Sequence, residues 1–276
     1  MAKRPTLNQA WEAICSRYVR PDAAISYVTK KQIVRIAKRD LRLTHKFDTR
    51  EALPEPLRRR GLFILPCSAT KFALVRADGY HDLERLGRTT RFRSGLPFQS
   101  KVLQVGEGEA TYLNRAYHSG LVEHYLGRKG YLHHYPGRQT SGQFSFMVGP
   151  LGPISVSKVQ VEVDAIFESR NSIILTEAKV RSVASFLVRQ LYYPYRKWLS
   201  AAADRNVQLL FFYHDPAADR YGFWTYRLTD PGDLLGGVTP GGGRLPASML
   251  ILPRTSSAMS ITWESHWMLS ISPSYR

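Results

Sequence analysis

Cysteine is scarce: Cys15 and Cys67 are the only two in 276 residues. Two thiols in a chain this long form no disulfide framework, so a reducing compartment, the cytoplasm, is expected. Neither has partners at zinc-ligand spacing, which excludes a zinc module built on them. Long apolar runs are also missing. Nothing approaches the roughly 18 residues of a membrane span, and MAKRPTLNQAWEAIC at the N-terminus holds no apolar stretch of signal-peptide length. Gly106-Glu107-Gly108 is followed by no Gly-Lys-Ser/Thr, so it is not a phosphate loop, and no G-x-S-x-G elbow is present. His133 and His134 are adjacent; on a strand they would point apart, which makes a poor metal site and suits a polar or DNA-facing surface. Acidic residues are too few to balance the basic ones: 22 Asp and Glu stand against 39 Lys and Arg, a formal charge of +17.

A balance this basic favours a polyanionic partner, most often nucleic acid. The charge is uneven. Residues 1–100 carry 21 Lys and Arg against 9 Asp and Glu, and the remaining residues 18 against 13. Within the basic third, helices are expected at 6–18, at 29–39 behind an N-cap at Thr29, and at 50–60 ahead of Gly61. Two strand-like runs follow, LFILP at 62–66 and KFALVR at 71–76. Three helices and then a hairpin is the order of a winged helix-turn-helix, which reads DNA with one helix and lays its hairpin on the backbone. Residues 1–84 are therefore expected to form a winged-helix-like DNA-binding domain. Its candidate contacts are Lys30, Lys31, Arg35, Arg58, Arg59, Arg60 and Lys71. Residues 85–108 read as a linker with a weak strand at 101–105, where Arg91 and Arg93 could follow phosphates or simply be solvated.

The remainder, 109–276, has a clearer rhythm: a helix at 110–126, strands at 143–148, 159–168 and 172–180, a long helix at 182–203, and strands at 207–214 and 221–228. The tail from Gly236 is rich in Gly and Pro. Side chains alternate along a strand. On 159–168, Glu162, Asp164, Ile166 and Glu168 share a face opposite Val161, Val163, Ala165 and Phe167. On 172–180, Glu177 and Lys179 share a face opposite Thr176, Ala178 and Val180. The three-residue connection makes the two strands antiparallel neighbours, so Asp164 and Glu177 converge with Lys179 one pleat away. Two facing carboxylates repel unless a cation joins them; Mg²⁺ prefers such oxygens and retains waters. A lysine beside it can stabilise developing phosphoryl charge.

At these residues the chain resembles the PD-(D/E)XK nuclease superfamily. The match is Asp164 in VEVDAIFE, then twelve residues, then Glu177-Ala178-Lys179 in ILTEAKV. Val163 stands where the family's nominal proline would be. The resemblance covers about 100 to 120 residues, within 110–215. It implies an α/β (α+β) fold, a restriction-endonuclease-like mixed central sheet flanked by helices. It also implies that Asp164, Glu177 and the Ala178 carbonyl hold Mg²⁺, with Mn²⁺ able to substitute, and that Lys179 is the catalytic lysine. Gln190 resembles a glutamine that, with a tyrosine a few residues on, borders the active site in some branches; the helix here carries Tyr193 and Tyr195, and Pro194 would kink it. Some members add a glutamate from the first core helix. Glu123, Glu109 and Glu107 are candidates for that place, with Glu123 carried in the expected metal set; Glu162 is a further neighbour.

The function this implies is a type II restriction endonuclease of a prokaryotic cytoplasm. It would cut double-stranded DNA at a short site, as a homodimer, beside a separate methyltransferase acting on the same site. A repair, recombination or mobile-element nuclease is the alternative within the enzyme class. A DNA-binding protein with a degenerate nuclease fold is the alternative outside it.

Overall fold

The computed structural model describes residues 4–40, 42–83, 89–181, 183–228, 230–235 and 259–264. The protein mixes helices and strands, with several sheets. The N-terminal part runs α1 (Leu7–Tyr18), β1 (Ile25–Thr29), α2 (Lys30–Ala37), α3 (Arg42–His45), α4 (Glu55–Arg59), β2 (Leu62–Pro66) and β3 (Lys71–Arg76). Thr6 and Thr29 each close a capping box, with Gln9 and Gln32, so both long helices start where side chains satisfy their first amides. The expected hairpin is present, but it gains a third strand: β1 pairs with β3, giving the order β1-β3-β2, all antiparallel. Trp11, Ile14, Leu57 and Leu74, all fully buried, join the helices to this sheet.

The chain continues through β4 (Tyr80–Asp82), β5 (Thr89–Arg93), α5 (Glu109–His118), α6 (Leu121–Leu126), β6 (Leu132–His134), β7 (Gly137–Thr140), β8 (Gln143–Met147), β9 (Pro153–Ser157), β10 (Gln160–Val163), β11 (Ala165–Glu168), β12 (Ser172–Val180), β13 (Ser185–Leu187), α7 (Arg189–Ala201), β14 (Asn206–Asp215), β15 (Arg220–Tyr226) and β16 (Met259–Glu264). A seven-stranded mixed sheet has the order β5-β16-β15-β14-β12-β11-β6. Its centre is the antiparallel hairpin β11–β12 and the parallel pair β12–β14, which α7 connects. α5 and α6 cover one face with Leu113, Ala116 and Leu121 against Phe167, Ile174 and Phe212. α7 covers the other with Leu191 and Tyr192, in a core that also holds Ile173, Leu175, Phe211 and the buried residues of the N-terminal part.

Four expectations are corrected. The stretch 110–126 is two helices, because Gly120 at φ 83° turns the chain between α5 and α6. The stretch 182–203 is helical only over Arg189–Ala201; Ser185–Leu187 is drawn into pairing with β4. The expected strand at 101–105 is a single 3₁₀ turn, Val102–Gln104, with Val102 and Val105 exposed. The linker 85–108 is not free chain throughout, since β5 pairs in parallel with β16; residues 84–88, and nearly all of the tail from Gly236, lie outside the described residues.

Loop 46–51 fastens the N-terminal part to the rest. The Tyr80 hydroxyl donates to the Phe47 carbonyl at 2.9 Å, and the Leu187 amide to the Asp48 carbonyl at 2.9 Å. The Arg50 amide donates to Ser185 Oγ at 2.9 Å, while its guanidinium bridges Asp78 and Asp82. No helix among the described residues is long and apolar enough to cross a membrane.

Candidate functional site

The expected strand 159–168 breaks at Asp164. β10 before it pairs with β7, and β11 after it pairs with β12 and β6. The alternation predicted across the whole stretch therefore fails at that residue: Val163 packs in the core under α7, whereas Ala165 packs under α5 and α6. The break turns the Asp164 side chain across to β12, where Oδ2 accepts the Ala178 amide at 2.7 Å. The Asp164 amide donates to the Thr176 carbonyl at 3.1 Å. A carboxylate at a strand break can reach a neighbouring strand's backbone in a way that an in-register side chain cannot.

Glu177 and Lys179 share the face of β12 that looks toward α7, and Ala178 is buried on the other face. Lys179 Nζ donates to Glu177 Oε1 and to the Ala178 carbonyl at 3.0 Å, and lies 3.7 Å from Glu109 Oε1. Gln190, in the first turn of α7, donates from Nε2 to Glu177 Oε1; its own Oε1 is buried without a hydrogen-bond partner. Four residues expected together from the sequence, Asp164, Glu177, Lys179 and Gln190, thus line one place. Tyr192 and Tyr193 are core residues, their hydroxyls spent on the Pro231 and Pro66 carbonyls.

The electrostatics follow from burial. Desolvation raises the Glu177 carboxyl to about 8 and also raises Asp164 and Glu109. Lys179 is held above its ordinary value because the attraction of Glu177, Glu109 and Asp164 outweighs its own desolvation. The lysine therefore stays charged among carboxyls that resist ionisation.

Glu109 takes the place that Glu123 was expected to fill. Glu123 is turned away, its Oε1 accepting the amides of Gly130 at 2.6 Å and Tyr131 at 3.4 Å in the loop after α6. Glu107 is exposed and outside the site. Asp48 was not anticipated. It lines the same cleft as Asp164, Glu109 and Glu177, and its charge is felt by all three. Nothing in local sequence announces it, because loop 46–51 brings it in from the other part of the chain.

The cleft has a volume of about 1180 Å³ and runs between the N-terminal part and the β7–β10 sheet, with the four residues on its floor. Among the predicted DNA contacts whose side chains are described, only Lys30 lines it. Arg59 and Arg60 are paired with Glu12 of α1, Lys71 lies 3.9 Å from the centre of the Tyr27 ring, and Arg35 bonds the Tyr18 hydroxyl. Lys31, Arg58 and Arg93 are exposed, and the Arg91 side chain lies outside the described residues. His133 is half-buried and stacks on Phe167, and burial lowers it to about 4. His134 pairs with Glu168 at 2.9 Å. Cys15 and Cys67 are buried free thiols.

Among the described residues no three His, Cys, Asp or Glu side chains are grouped to hold a metal. The oxygen set that the motif offers is two carboxylates, Asp164 and Glu177, with the Ala178 carbonyl and the unpartnered Gln190 Oε1 beside them. Hard oxygen donors of this kind suit Mg²⁺, which keeps several waters and needs few protein ligands.

Comparison with curated proteins and with solved structures finds no match. Two family models do match: residues 8–74 fit a Domain of unknown function (DUF6996), and residues 75–235 fit a Domain of unknown function (DUF6997). Asp164, Glu177, Lys179, Gln190 and Glu109 fall in the second of these, whereas Lys30, Arg39, Asp40, Lys46 and Asp48 of the cleft fall in the first; with more than half its length matched by the second, the chain belongs to the DUF6997 family.

Proposed function

We propose that the protein is a Mg²⁺-dependent endodeoxyribonuclease of the PD-(D/E)XK kind, and that it works as a type II restriction enzyme on double-stranded DNA. The observation that carries this is the convergence of Asp164, Glu177, Lys179 and Gln190 on the floor of one cleft. Bound there, Mg²⁺ would polarise a phosphoryl oxygen and supply a water of lowered pKa. Asp164, Glu177 and the Ala178 carbonyl would hold it. Hydrolysis forms one P–O bond to the water oxygen and breaks one to the leaving sugar oxygen, which takes up a proton. Lys179, kept charged by its carboxylate neighbours, donates to a non-bridging oxygen as negative charge grows on the phosphoryl group. Gln190 orients the Glu177 carboxylate through its hydrogen bond.

The N-terminal part supports the site-reading half of the proposal. Its order of helix, strand, two helix segments, short helix and hairpin, with the sheet order β1-β3-β2, suits a winged helix. A homodimer would cut both strands, and a companion methyltransferase would protect the host site. Incubation with plasmid DNA and Mg²⁺ is the test. Discrete fragments that vanish with EDTA and with Asp164→Asn support the restriction reading. A smear, or cutting confined to branched substrates, favours a repair or mobile-element nuclease. DNA binding with no cutting under any divalent metal would leave a DNA-binding protein on a degenerate nuclease fold.

A further inference from the structure

Three basic residues that line the cleft occupy positions where their own backbone disfavours them. Lys30 is the first residue of α2, a helix with no acidic residue in its first turn, so a cation stands at the positive end of the helix dipole. Arg189 is the first residue of α7, again with no acid in the first turn and no side-chain cap, and its Nε is buried without a hydrogen-bond partner. Lys158, in the turn from β9 to β10, holds φ 52°, a left-handed conformation that glycine adopts without strain. Its amide is anchored on the Gly142 carbonyl at 2.9 Å, so the side chain's root is fixed. Among the described residues none of the three has a carboxylate partner within salt-bridge distance. Lys46 and Arg138, on the same cleft, instead share Glu162 at 3.6 and 3.3 Å.

A local rule broken once is ordinary. Broken three times, from three separate segments, always by a cation and always on one cleft, it marks a functional surface. Two helix N-termini and three cations without carboxylate partners, one of them Arg189 over the Tyr193 ring, make a field that an anion would relieve. We propose that Lys30, Lys158 and Arg189 are the phosphate contacts of this protein: the DNA backbone lies in the cleft, gripped from the N-terminal part, the β9–β10 turn and α7, and not on the arginine run 58–60, two of whose members are spent on Glu12. This rests on the nuclease reading for its substrate and goes beyond it in saying which side chains hold that substrate and where.

The test measures binding alone. Full-length Asp164→Asn protein in EDTA is titrated with a fluorescent DNA duplex at several salt concentrations, so that no cutting intervenes. Each phosphate contact contributes about 0.9 to the slope of log K against log salt. Lys30→Gln, Lys158→Gln and Arg189→Gln are each expected to flatten the slope by about that amount, and the triple variant by between two and three, with Arg58→Gln leaving it unchanged. Lys158→Gly separates function from structure: relief of the strained backbone keeps or raises Tm while affinity falls. A triple variant with the parental slope, or a parental protein that binds no duplex, overturns the proposal. Wild-type protein that binds with the expected slope yet cuts nothing in Mg²⁺ or Mn²⁺ would instead sink the nuclease reading and leave this one standing.

Discussion

Two glutamates in this molecule are each held by basic side chains, and they titrate in opposite directions. Glu12 lies on the outside of α1, gripped by Arg59 and Arg60, and those arginines pull its carboxyl below the usual range. Glu177 lies on the floor of the cleft beside Lys179, and burial lifts it to about 8 despite that lysine. The difference is solvent. Water leaves the first pair free to lower its energy by charge alone, at a modest gain in stability. The second pair has lost its water, so the ionised form is held at a cost that suits chemistry and not stability. An ion pair seen in a structure therefore says little until its burial is known.

The largest effect expected on this contrast comes from Lys179→Ala. Cleavage rate should fall by about 10²- to 10³-fold, the usual loss when one electrostatic stabiliser is removed from a dry site, while DNA affinity holds. Single-turnover cleavage against binding by anisotropy would show it; equal losses in both would make the lysine a binding residue. Gln190→Ala should lower cleavage by about 10- to 100-fold and raise the Mg²⁺ concentration needed, the pattern of a residue that orients a ligand. An unchanged Mg²⁺ titration would leave its bond to Glu177 without catalytic consequence.

The pH response then separates the buried from the exposed carboxylates by sign. The folded protein raises the pKa of Asp164, so it binds that proton more tightly than the unfolded chain does. Its stability contribution is greatest below the ordinary carboxylate range and is lost as pH rises through the raised value. In EDTA, Asp164→Asn should therefore gain Tm over wild type on going from pH 4 to about 7, even as cleavage disappears. The folded protein lowers the pKa of Glu12, so its contribution is present above about 4.5 and fades as pH falls through the lowered value. Glu12→Gln should cost a little Tm at neutral pH, nothing at low pH, and no activity; this is the smallest effect of the set. Two melting curves with the same sign of pH dependence would end the comparison.

The site was legible because it depends on local pattern. Ile173, Ile174 and Leu175 lead into Glu177 on an apolar strand, and a twelve-residue separation in a hairpin brings Asp164 beside it. The apolar spacing of Ala10, Ile14 and Tyr18 and the N-cap at Thr29 made the first two helices readable. Residues that meet across long separations were not. Asp48 reaches Asp164's cleft on a loop held by the Leu187 amide at the Asp48 carbonyl and by the Arg50 amide at Ser185 Oγ, bonds that no periodicity records. Glu12 claims two arginines from 47 and 48 residues away, so two of the three residues of a cluster that reads as a DNA contact are consumed in holding α1 to the end of α4. Glu109 and Glu123 both lie on helices ahead of the motif, and only the turn at Gly120 decides which one faces it.

The two family models meet between residues 74 and 75, and that boundary runs through the middle of β3. Val75 and Arg76, on the far side of it, pair with Ile25 of β1 and with Phe63 and Leu62 of β2. One core continues across the same line, from Trp11 to Leu235. The seam drawn by sequence similarity is thus no seam in the material: a fragment ending at 74 would carry a central strand cut short and an apolar wall open to water. Heated or denatured, the two parts should melt in a single cooperative step, so that whatever perturbs the N-terminal part is felt in the rest of the chain as a loss of folded protein.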